Sequence, residues 1–463
     1  MAEVNYRFPH SRPPSFTREV KAKRSSWKRE WWFWAFAILV FAEIIMPIIL
    51  STARLPRSMD FLKELVAASL IGIALIHMML RDRIPAAVLI LLGASLVWGL
   101  ISTLDGQSVS STAWGWWRFF KYPMLMLFAY LVPKWPDNFA RWLVKFFVIL
   151  LAFQVGIQFI QFATGVSPGD HLAGTFGRFG VGELTMLVFF IVCIGMGHWL
   201  ATDSTRVMFL TLFLGLVSTM LNVSRFYLVA VVIVAIVAFF IFMIRGGKIR
   251  RLFTYILLLS FSLAIFFPIY NTFLVESLNI KPLYEVFEPE NLQSYLFVDS
   301  KVSDTGLYRL GRAASVAYAW QQIQRDAITV LFGYGIGSRT YSTFLGFQGV
   351  TLEDDLYGGG GNTGLGVWIQ EFGLLGIILF LLINSWIVWK LLQHAGKTSD
   401  QYLAVLEYGI VLFTLLWPLW LFYHKAWSHG GMMSFYWLTL GFIANQIYSK
   451  KKQPVLNQEL THS

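Results

Sequence analysis

The feature that most constrains this chain is a series of apolar runs, each near twenty residues long and separated by short polar segments. A helix of about twenty apolar residues crosses a hydrocarbon core of about 30 Å. Backbone polar groups find no partners in lipid, so segments that cross it form helices and satisfy their hydrogen bonds internally. The runs are continuous rather than alternating, which argues against the strands of an outer-membrane barrel. The sequence therefore predicts an all-α, polytopic transmembrane protein.

We predict about twelve spans, with both termini on the cytoplasmic side. Basic clusters flank the runs, in the first thirty residues and again at Lys450–Lys452, and such clusters are typical of cytoplasmic segments. The predicted spans are Trp31–Ser51, Phe61–Leu80, Ile84–Thr103, Ala113–Val132, Leu143–Phe162, Val181–Ala201, Val207–Leu221, Phe226–Ile244, Leu252–Ile269, Thr363–Leu391, Tyr402–Tyr423 and Met432–Tyr448.

The composition agrees with a membrane protein and narrows the possible chemistry. The chain is 56% hydrophobic and 14% charged, whereas soluble domains carry about 25% charged residues. Its net charge of +11 comes from clusters beside the runs, so we expect topology-setting charges and no nucleic-acid partner. The single cysteine, Cys193, lies inside an apolar run, which leaves no disulfide framework and no thiolate metal site.

Residues 270–362 interrupt the apolar pattern with a long polar segment. They carry more acidic than basic residues, in contrast to the basic cytoplasmic flanks, so we expect this segment on the extracytoplasmic face. The predicted organisation is a basic cytoplasmic tail at 1–30, spans one to nine at 31–269, an extracytoplasmic loop module at 270–362, spans ten to twelve at 363–448 and a cytoplasmic tail at 449–463.

Within the loop module, the pattern predicts a helix from Thr305 to about Ile328, with Asp304 as its N-cap. Arg309 and Arg312 are three residues apart, so their guanidinium groups would share the apolar face of this helix. Two interpretations stay open at this point. The arginines either pair with acids of the loop and with lipid headgroups, or they bind an anion.

Basic residues recur at the predicted extracytoplasmic ends of the spans, where such residues are under-used. Arg225 begins a span directly, in the context SRFYLVAVV, and a charge at that depth is by default a functional candidate. Several guanidinium groups at one face can hold a diphosphate and stabilise it as a leaving group. The set comprises Arg118, Lys121, Arg178, Arg225, Arg309 and Arg312.

Two glycine-rich segments lie near the end of the loop module. Leu331–Tyr341, which reads LFGYGIGSRTY, is a predicted turn that contains Arg339. Gly358–Gly361 leads through Asn362 into the next span. Neither segment has the strand–turn–helix context of a dinucleotide-binding fingerprint. We expect a flexible entry to the next span at Gly358–Gly361, with Arg339 and Asn362 as candidate substrate-binding residues.

Four segments, in order, resemble the O-antigen ligase and O-antigen polymerase superfamily. They are AGTFGRFG before a span, NVSRFYLVAVVIV at the start of a span, the arginine-containing helix that leads into LFGYGIGS, and GNTGLGVWIQEFGLLGIILFL after the loop. The resemblance covers roughly Ala163–Leu382, and the later segment FYWLTLGFIANQ is also of the family's type.

The resemblance implies a GT-C-like, metal-independent glycosyltransferase without cofactors in the cytoplasmic (inner) membrane of a bacterium. It would act at the outer face on undecaprenyl-diphosphate-linked oligosaccharide, with membrane lipids, a chain-length regulator and a flippase as partners. By the same resemblance, the catalytic candidates are Arg225, either Arg309 or Arg312, and the post-loop Glu371. The substrate-binding candidates are Arg118, Lys121, Arg178, Arg339 and Asn362.

One position departs from the ligases of this superfamily, which place a histidine before the asparagine that opens the post-loop span. Gly361 occupies that position here, which favours an exopolysaccharide or O-antigen polymerase. The alternatives are ligase-type transfer to another acceptor and a flippase or transporter of lipid-linked oligosaccharide. The general base stays open, and the residues considered for it are His171, His424, His429, Asp354 and Asp355.

Overall fold

A computed structural model describes most of the chain between Trp31 and Thr461. The described residues are 31–52, 61–79, 86–132, 134–169, 171–177, 180–246, 249–276, 282, 285, 288–302, 308–342, 347–349, 363–425 and 430–461. The predicted tail at 1–30 lies outside them.

The described residues form a helical bundle with two pairs of short strands. The helices are α1 (Trp31–Val40), α2 (Met46–Thr52), α3 (Phe61–Met79), α4 (Ala86–Leu104), α5 (Val109–Leu131), α6 (Phe139–Ala163), α7 (Val181–Thr202), α8 (Arg206–Asn222), α9 (Arg225–Ile244), α10 (Ile249–Tyr270), α11 (Pro289–Phe297), α12 (Arg312–Ile323), α13 (Ala327–Phe332), α14 (Gly364–Ala395), α15 (Gln401–Leu415), α16 (Trp417–Tyr423) and α17 (Gly430–Thr461). The antiparallel strand pairs are β1 (Val298–Val302) with β2 (Tyr308–Leu310), and β3 (Tyr341–Ser342) with β4 (Phe347–Gln348).

The all-α prediction is confirmed. Each predicted apolar run coincides with one helix or with a series of consecutive helices. In the described part of the chain, five helices are long and apolar enough to cross a membrane, and the pair α15–α16, bent by 48°, raises the number to six. The five are α3, α6, α7, α14 and the Phe226–Ile244 part of α9. The count of about twelve spans remains a prediction.

The core is built around α7 and α15, whose residues are almost all buried. Glycines allow the two helices to approach closely. A Cβ on Gly197 of α7 would overlap the carbonyl oxygen of Val405 in α15, and one on Gly409 of α15 would overlap Ile194. Because lipid tails are as apolar as the side chains, membrane helices gain stability from such small-residue contacts. The pair therefore forms the central scaffold of the bundle.

The helical run that begins with α1 carries one irregular turn, the π-helical segment Phe41–Ile45 between α1 and α2. It contains Glu43, which is 5% exposed and accepts a hydrogen bond from Ser434 Oγ at 2.9 Å. A π-helical turn adds a residue to the helix and is frequent at functional sites. Here it buries a carboxylate of an apolar helix against the beginning of α17.

The helix predicted at Thr305–Ile328 begins later and ends earlier than expected. α12 begins at Arg312 and ends at Ile323, and the predicted N-cap, Asp304, lies outside the described residues. Arg309 lies instead in β2, which pairs with β1. The prediction that Arg309 and Arg312 share one face of a helix is therefore wrong.

Gly311, between β2 and α12, gives the physical reason. A Cβ at this position would lie 2.6 Å from the backbone carbonyl of Leu296, so the close approach of α11 requires glycine there. The strand pairing before Gly311 then overrides the helical periodicity. Further along, the side chain of Asp326 accepts a hydrogen bond from the Thr329 N–H at 2.8 Å and caps the separate helix α13.

The described part of residues 270–362 packs directly onto the bundle. α11 contacts α12, and both α12 and α13 lie along α14. A small second core of Ala319, Ile323, Tyr334 and Ile369 joins α12, the segment after α13, and α14. α14 itself is kinked at Gly373, whose φ of 61° favours glycine. The polar region and the first two turns of α14 are therefore one packed unit.

Candidate functional site

Residues 333–340 form a buried loop between α13 and β3, packed against α4, α5 and α14. Gly335 and Gly337 have φ values of 85° and 93°, a conformation that favours glycine. A Cβ on Gly335 would lie 2.5 Å from the backbone nitrogen of Ser102, and one on Gly337 would lie 2.7 Å from the carbonyl carbon of Ser111. The segment predicted as a glycine-rich turn is therefore close-packed.

Hydrogen bonds from α4 and α5 hold the backbone of this loop. Ser102 Oγ donates to the Ile336 carbonyl oxygen at 2.8 Å, and Ser111 Oγ donates to that of Gly337 at 2.9 Å. Trp98 Nε1 donates to the Phe332 carbonyl oxygen at 3.0 Å, just before the loop. Buried backbone groups that are paired in this way hold a single conformation. The loop can therefore place a side chain accurately.

That side chain is Arg339, and the carboxylate of Glu371 in α14 fixes its backbone. Glu371 is fully buried, and its Oε1 accepts a hydrogen bond from the Arg339 N–H at 2.9 Å. The backbone N–H of Gly337 also donates to this carboxylate. Arg339 is 5% exposed, and its charge acts on the same carboxylate.

Two more cations face Glu371. Arg118 of α5 and Lys425, which follows α16, both interact electrostatically with its carboxylate. Burial, and then the charges of Arg118 and Arg339, lower the pKa of Lys425 to about 8, although Glu371 acts in the opposite direction. These four residues, which we call the cationic cluster, comprise three basic side chains that act electrostatically on one buried carboxylate.

Tyr423, the last residue of α16, lies next to the cationic cluster and joins two helix starts. Its ring stacks on Phe226, the neighbour of Arg225, with ring centroids 3.7 Å apart. The guanidinium carbon of Arg312 lies 4.6 Å from the centroid of the same ring, and Arg312 also donates a hydrogen bond to the Tyr423 carbonyl oxygen. The first residues of α9 and α12 therefore meet two positions before Lys425.

His424 separates Tyr423 from Lys425, and its hydrogen bond defines its tautomer. The Lys425 backbone N–H donates to His424 Nδ1 at 2.8 Å, so a neutral imidazole carries its proton on Nε2. That nitrogen lies against the start of α7, where a Cβ on Gly182 would be 2.6 Å from it. In neutral His424, Nε2 therefore carries the proton and points toward α7, while Nδ1 already accepts a hydrogen bond. Neither nitrogen is open to accept a proton from a substrate, which argues against His424 as the general base.

Three helices begin against the turn at residues 423–425. α7 does so through Gly182, α9 through Phe226 and α12 through Arg312. The N-terminal end of a helix carries a partial positive charge of about half a unit. The partial positive charges at these helix ends add to the charges of the three basic side chains in the cationic cluster. Glu183 in the first turn of α7 opposes this effect at that helix start, so the positive charge comes from the starts of α9 and α12 and from the basic side chains.

Lys121 is paired with an acid in the structure. Its Nζ lies 2.7 Å from Oε1 and 2.8 Å from Oε2 of Glu64, and Trp117 Nε1 donates to the same carboxylate at 2.6 Å. Lys121 also acts on the buried carboxylate of Glu43. Because these acids balance its charge, Lys121 contributes less to an anion-binding site than the members of the cationic cluster do.

The structure brings several of the candidate residues together. Arg118, Arg339 and Glu371 belong to the cationic cluster, and Arg312 touches the turn that leads to it. Arg225 begins α9 and Arg309 lies in β2, while the side chains of both are outside the described part. His171 lies in a turn before residues 174–176. The candidates outside the described residues are Arg178, Asp354, Asp355, Asn362 and His429, together with Gly361.

Sequence reasoning missed Lys425, Glu43 and Glu64. Lys425 stands at the predicted extracytoplasmic end of a span, which is the criterion that selected Arg118. Glu43 and Glu64 stand in apolar runs, and an acid in a membrane-spanning segment is a functional candidate by the same rule as an arginine. A signal was therefore present for all three residues, although no local pattern connects them with the rest of the site.

Across the described part of the chain, no group of three or more His, Cys, Asp or Glu side chains is placed to hold a metal ion. The chain matches no protein-family model, and no curated protein shows significant sequence similarity to it. What the site offers chemically is a set of basic side chains that act on one buried carboxylate.

Proposed function

We propose that this protein is a polysaccharide polymerase of the exopolysaccharide or O-antigen type. It joins undecaprenyl-diphosphate-linked repeat units at the outer face of the bacterial cytoplasmic membrane. The observation that carries the proposal is the cationic cluster, in which three basic side chains act on one carboxylate in a bundle of apolar helices. The diphosphate of a lipid-linked sugar is an anion that is held at the membrane, where such a site can bind it.

In the proposed topology, about twelve helices span the membrane and both termini are cytoplasmic. Residues 270–362 then lie on the outer face, where a chain-length regulator and a flippase are candidate partners. Arg118 stands nine residues after the start of α5 and Glu371 seven residues after the start of α14. At 1.5 Å per residue they lie about 10–13 Å below those helix starts. That depth suits the boundary between headgroups and hydrocarbon, where a lipid diphosphate resides.

The proposed reaction is a glycosyl transfer from one lipid diphosphate to a second lipid-linked unit. A hydroxyl of the second unit attacks C1 of the reducing-end sugar, and a new C1–O bond forms as the bond from C1 to the diphosphate oxygen breaks. The electron pair of the broken bond stays on the diphosphate, and the proton of the attacking hydroxyl passes to the solvent. Arg118 and Arg339 stabilise the developing negative charge through charge-assisted hydrogen bonds. This contribution is largest in a water-poor recess.

The test is polymer formation by the purified protein in lipid vesicles with its lipid-linked repeat unit. We expect Arg118→Ala and Arg339→Ala to abolish long products, since each removes a charge that stabilises the leaving group. Arg225→Ala and Arg309→Ala test the two arginines that the resemblance implicates. Arg206→Ala is the matched control, because Arg206 is an exposed arginine at the start of α8 and lies outside the cationic cluster.

Product analysis in the same assay separates this proposal from its alternatives. Unchanged product ladders in Arg118→Ala and Arg339→Ala would rule out the electrostatic role of the cluster. Transfer of a single chain to an acceptor without a lipid carrier would indicate a ligase. Movement of the repeat unit across the vesicle membrane, without a new glycosidic bond, would indicate a flippase.

A further inference from the structure

We infer that α13 and the first half of the buried loop form a re-entrant segment, which dips into the membrane and contacts lipid acyl chains through Ile328 and Leu331. The segment comprises residues 326–337. The inference concerns how this part of the chain meets the bilayer, and it does not depend on the proposed polymerase activity. It differs from the expectation that the whole of residues 270–362 lies outside the membrane.

The segment starts level with the end of α4. Gln324, Arg325 and Asp326 are all exposed just before α13, as suits polar side chains in the headgroup region or in water. The charges of Arg325 and Asp326 act on the carboxylate of Asp105, the residue that directly follows α4. The six residues of α13 lead away from this point over about 9 Å.

The contact at the end of α13 shows how deep the segment reaches. Trp98 Nε1 donates a hydrogen bond to the carbonyl oxygen of Phe332, the last residue of α13, at 3.0 Å. Trp98 lies six residues before Leu104, where α4 ends, which corresponds to about 9 Å along the helix axis. This depth equals the length of α13, so α13 runs inward along α4.

The chain then returns toward the end of α4. Ser102 Oγ, one turn nearer to that end than Trp98, donates to the Ile336 carbonyl oxygen at 2.8 Å. Ser111 Oγ, in the first turn of α5, donates to the Gly337 carbonyl oxygen at 2.9 Å. Successive residues of the buried loop therefore approach the connection between α4 and α5. A chain that moves inward to Trp98 and then back to Ser111 is re-entrant.

α14 gives a second measure of the depth. A Cβ on Gly373 would lie 2.6 Å from the carbonyl carbon of Leu331 and 2.5 Å from the backbone nitrogen of Gly333, so the end of α13 packs on the backbone of α14. Gly373 lies nine residues after Gly364, where α14 begins, or about 14 Å along the axis. Both helices place the end of α13 at the depth where headgroups give way to hydrocarbon.

The outward face of α13 is apolar at this depth. Ile328 is 67% exposed and Leu331 is 46% exposed, and their spacing of three residues puts them on one face of the helix. Leu374 and Ile378 of α14 follow Gly373 and are also exposed. Because α14 is long and apolar enough to cross a membrane, the face of α13 continues a surface that meets lipid.

The division between helix and irregular backbone agrees with this position. Irregular backbone at membrane depth is tolerated only where it is buried in protein. All of residues 333–340 are buried, and the serines of α4 and α5 hold their carbonyl groups. The exposed part of the segment is helical, and its ends are satisfied by the side chain of Asp326 and by Trp98. The surface offered to lipid is therefore made of side chains.

The experiment is spin labelling of the full-length protein in vesicles of phosphatidylcholine and phosphatidylglycerol. Cys193, which is buried in α7, is replaced by alanine so that each variant carries one cysteine. Labels at Ile328→Cys and Leu331→Cys report collisions with oxygen, which concentrates in the bilayer, and with a water-soluble nickel chelate. We expect the ratio of oxygen to nickel collisions at both positions to exceed that at Gln324→Cys several-fold.

Gln324→Cys is the matched control, because Gln324 is exposed immediately before α13. Leu382→Cys, at a residue of α14 that is 61% exposed, gives the ratio for a label in lipid, which both α13 labels should approach. Nickel collisions at the α13 labels as frequent as at Gln324→Cys would place α13 in water and overturn the inference.

Infrequent collisions with both reagents at the α13 labels would also overturn the inference, since they would show that a second copy or a partner protein covers this face. Both α13 side chains are exposed, so their substitution leaves the packing of the fold intact, and each position tests the inference separately. Lipid contact in a protein that makes no polymer would support this inference and contradict the proposed function.

Discussion

The Glu371 carboxylate accepts a hydrogen bond from the backbone N–H of Arg339 at 2.9 Å, while the guanidinium of the same arginine acts on it electrostatically. Residues 32 positions apart in the sequence are thereby joined at the centre of the cationic cluster. The carboxylate fixes the backbone of the buried loop and also balances part of the positive charge around it. Glu371 is therefore best placed to position Arg339.

This relationship separates the effects of two substitutions. Glu371→Gln keeps an oxygen that can accept the Arg339 N–H, whereas Glu371→Ala leaves buried N–H groups without an acceptor at about 1–3 kcal/mol each. We expect the Ala variant to lose thermal stability and polymer formation together. The Gln variant should stay folded and keep part of its activity. Melting temperature in detergent and product ladders measure both effects. A Gln variant with wild-type stability and no activity would instead assign a proton-transfer role to Glu371.

The packing of the buried loop predicts a strong effect of one methyl group. Gly337→Ala would place a Cβ 2.7 Å from the Ser111 carbonyl carbon at a φ of 93°. Strain of this kind costs about 1–3 kcal/mol before the overlap is counted. We expect a clear fall in melting temperature and faster proteolysis of residues 333–340. Gly99→Ala, in α4 with open space around it, should melt like wild type. Equal melting of both variants would contradict a close-packed loop.

The helices could be predicted from the sequence because continuous apolar runs decide local structure in a membrane protein. All the predicted runs are helical for that reason. The prediction of a helix through Arg309 was wrong because strand pairing between β1 and β2 overrides the helical periodicity there. Gly311 was the one local signal against that helix. A glycine is required there because the backbone of Leu296 packs against it, and this contact cannot be recognised from the sequence. The π-helical turn at Glu43 likewise follows from packing against Ser434.

The candidate site could be predicted only in part. Arg118, Arg339 and Glu371 were selected one by one, through a charge rule and a family resemblance. Their proximity to Lys425 depends on the packing of α5, the buried loop, α14 and the turn after α16. No local pattern encodes a contact across hundreds of residues. The glycines of residues 333–340 predicted a turn but not its close packing, since a positive φ and a close neighbour appear only in the folded chain.

Arg312 and Tyr423 form a pair whose coupling can be measured. A cation–π contact joins their side chains, and a partly buried contact of this kind is worth about 1–2 kcal/mol. The hydrogen bond from Arg312 to the Tyr423 carbonyl oxygen remains in Tyr423→Ala. We expect Arg312→Ala and Tyr423→Ala to lower stability less than additively in the double variant. Tyr423→Phe should keep the coupling with Arg312, because the ring and the carbonyl group remain. Melting temperatures of the single and double variants, measured alongside Arg206→Ala, give the coupling. Strictly additive losses would show that the two residues act independently.

The lowered pKa of Lys425 also predicts that the charged form of this side chain destabilises the folded protein. The pKa of this lysine is lowered from 10.5 to about 8, so below pH 8 the folded state carries an ammonium that it disfavours. Between about pH 8 and 10.5 the folded state releases the proton before the unfolded state does, so stability rises with pH across that window.

Lys425→Met removes this ammonium and keeps a chain of similar length. We expect it to melt above wild type at pH 7, by a free energy on the order of 2 kcal/mol, and to show a smaller advantage at pH 9.5. Polymer formation should fall at the same time, as expected when a functional site is destabilising in the fold. Lys390→Met, which changes an exposed lysine, should leave both properties unchanged. A Lys425→Met variant that melts below wild type at pH 7 would show that the ammonium is stabilised in the free protein, against the charge balance of Arg118, Arg339 and Glu371.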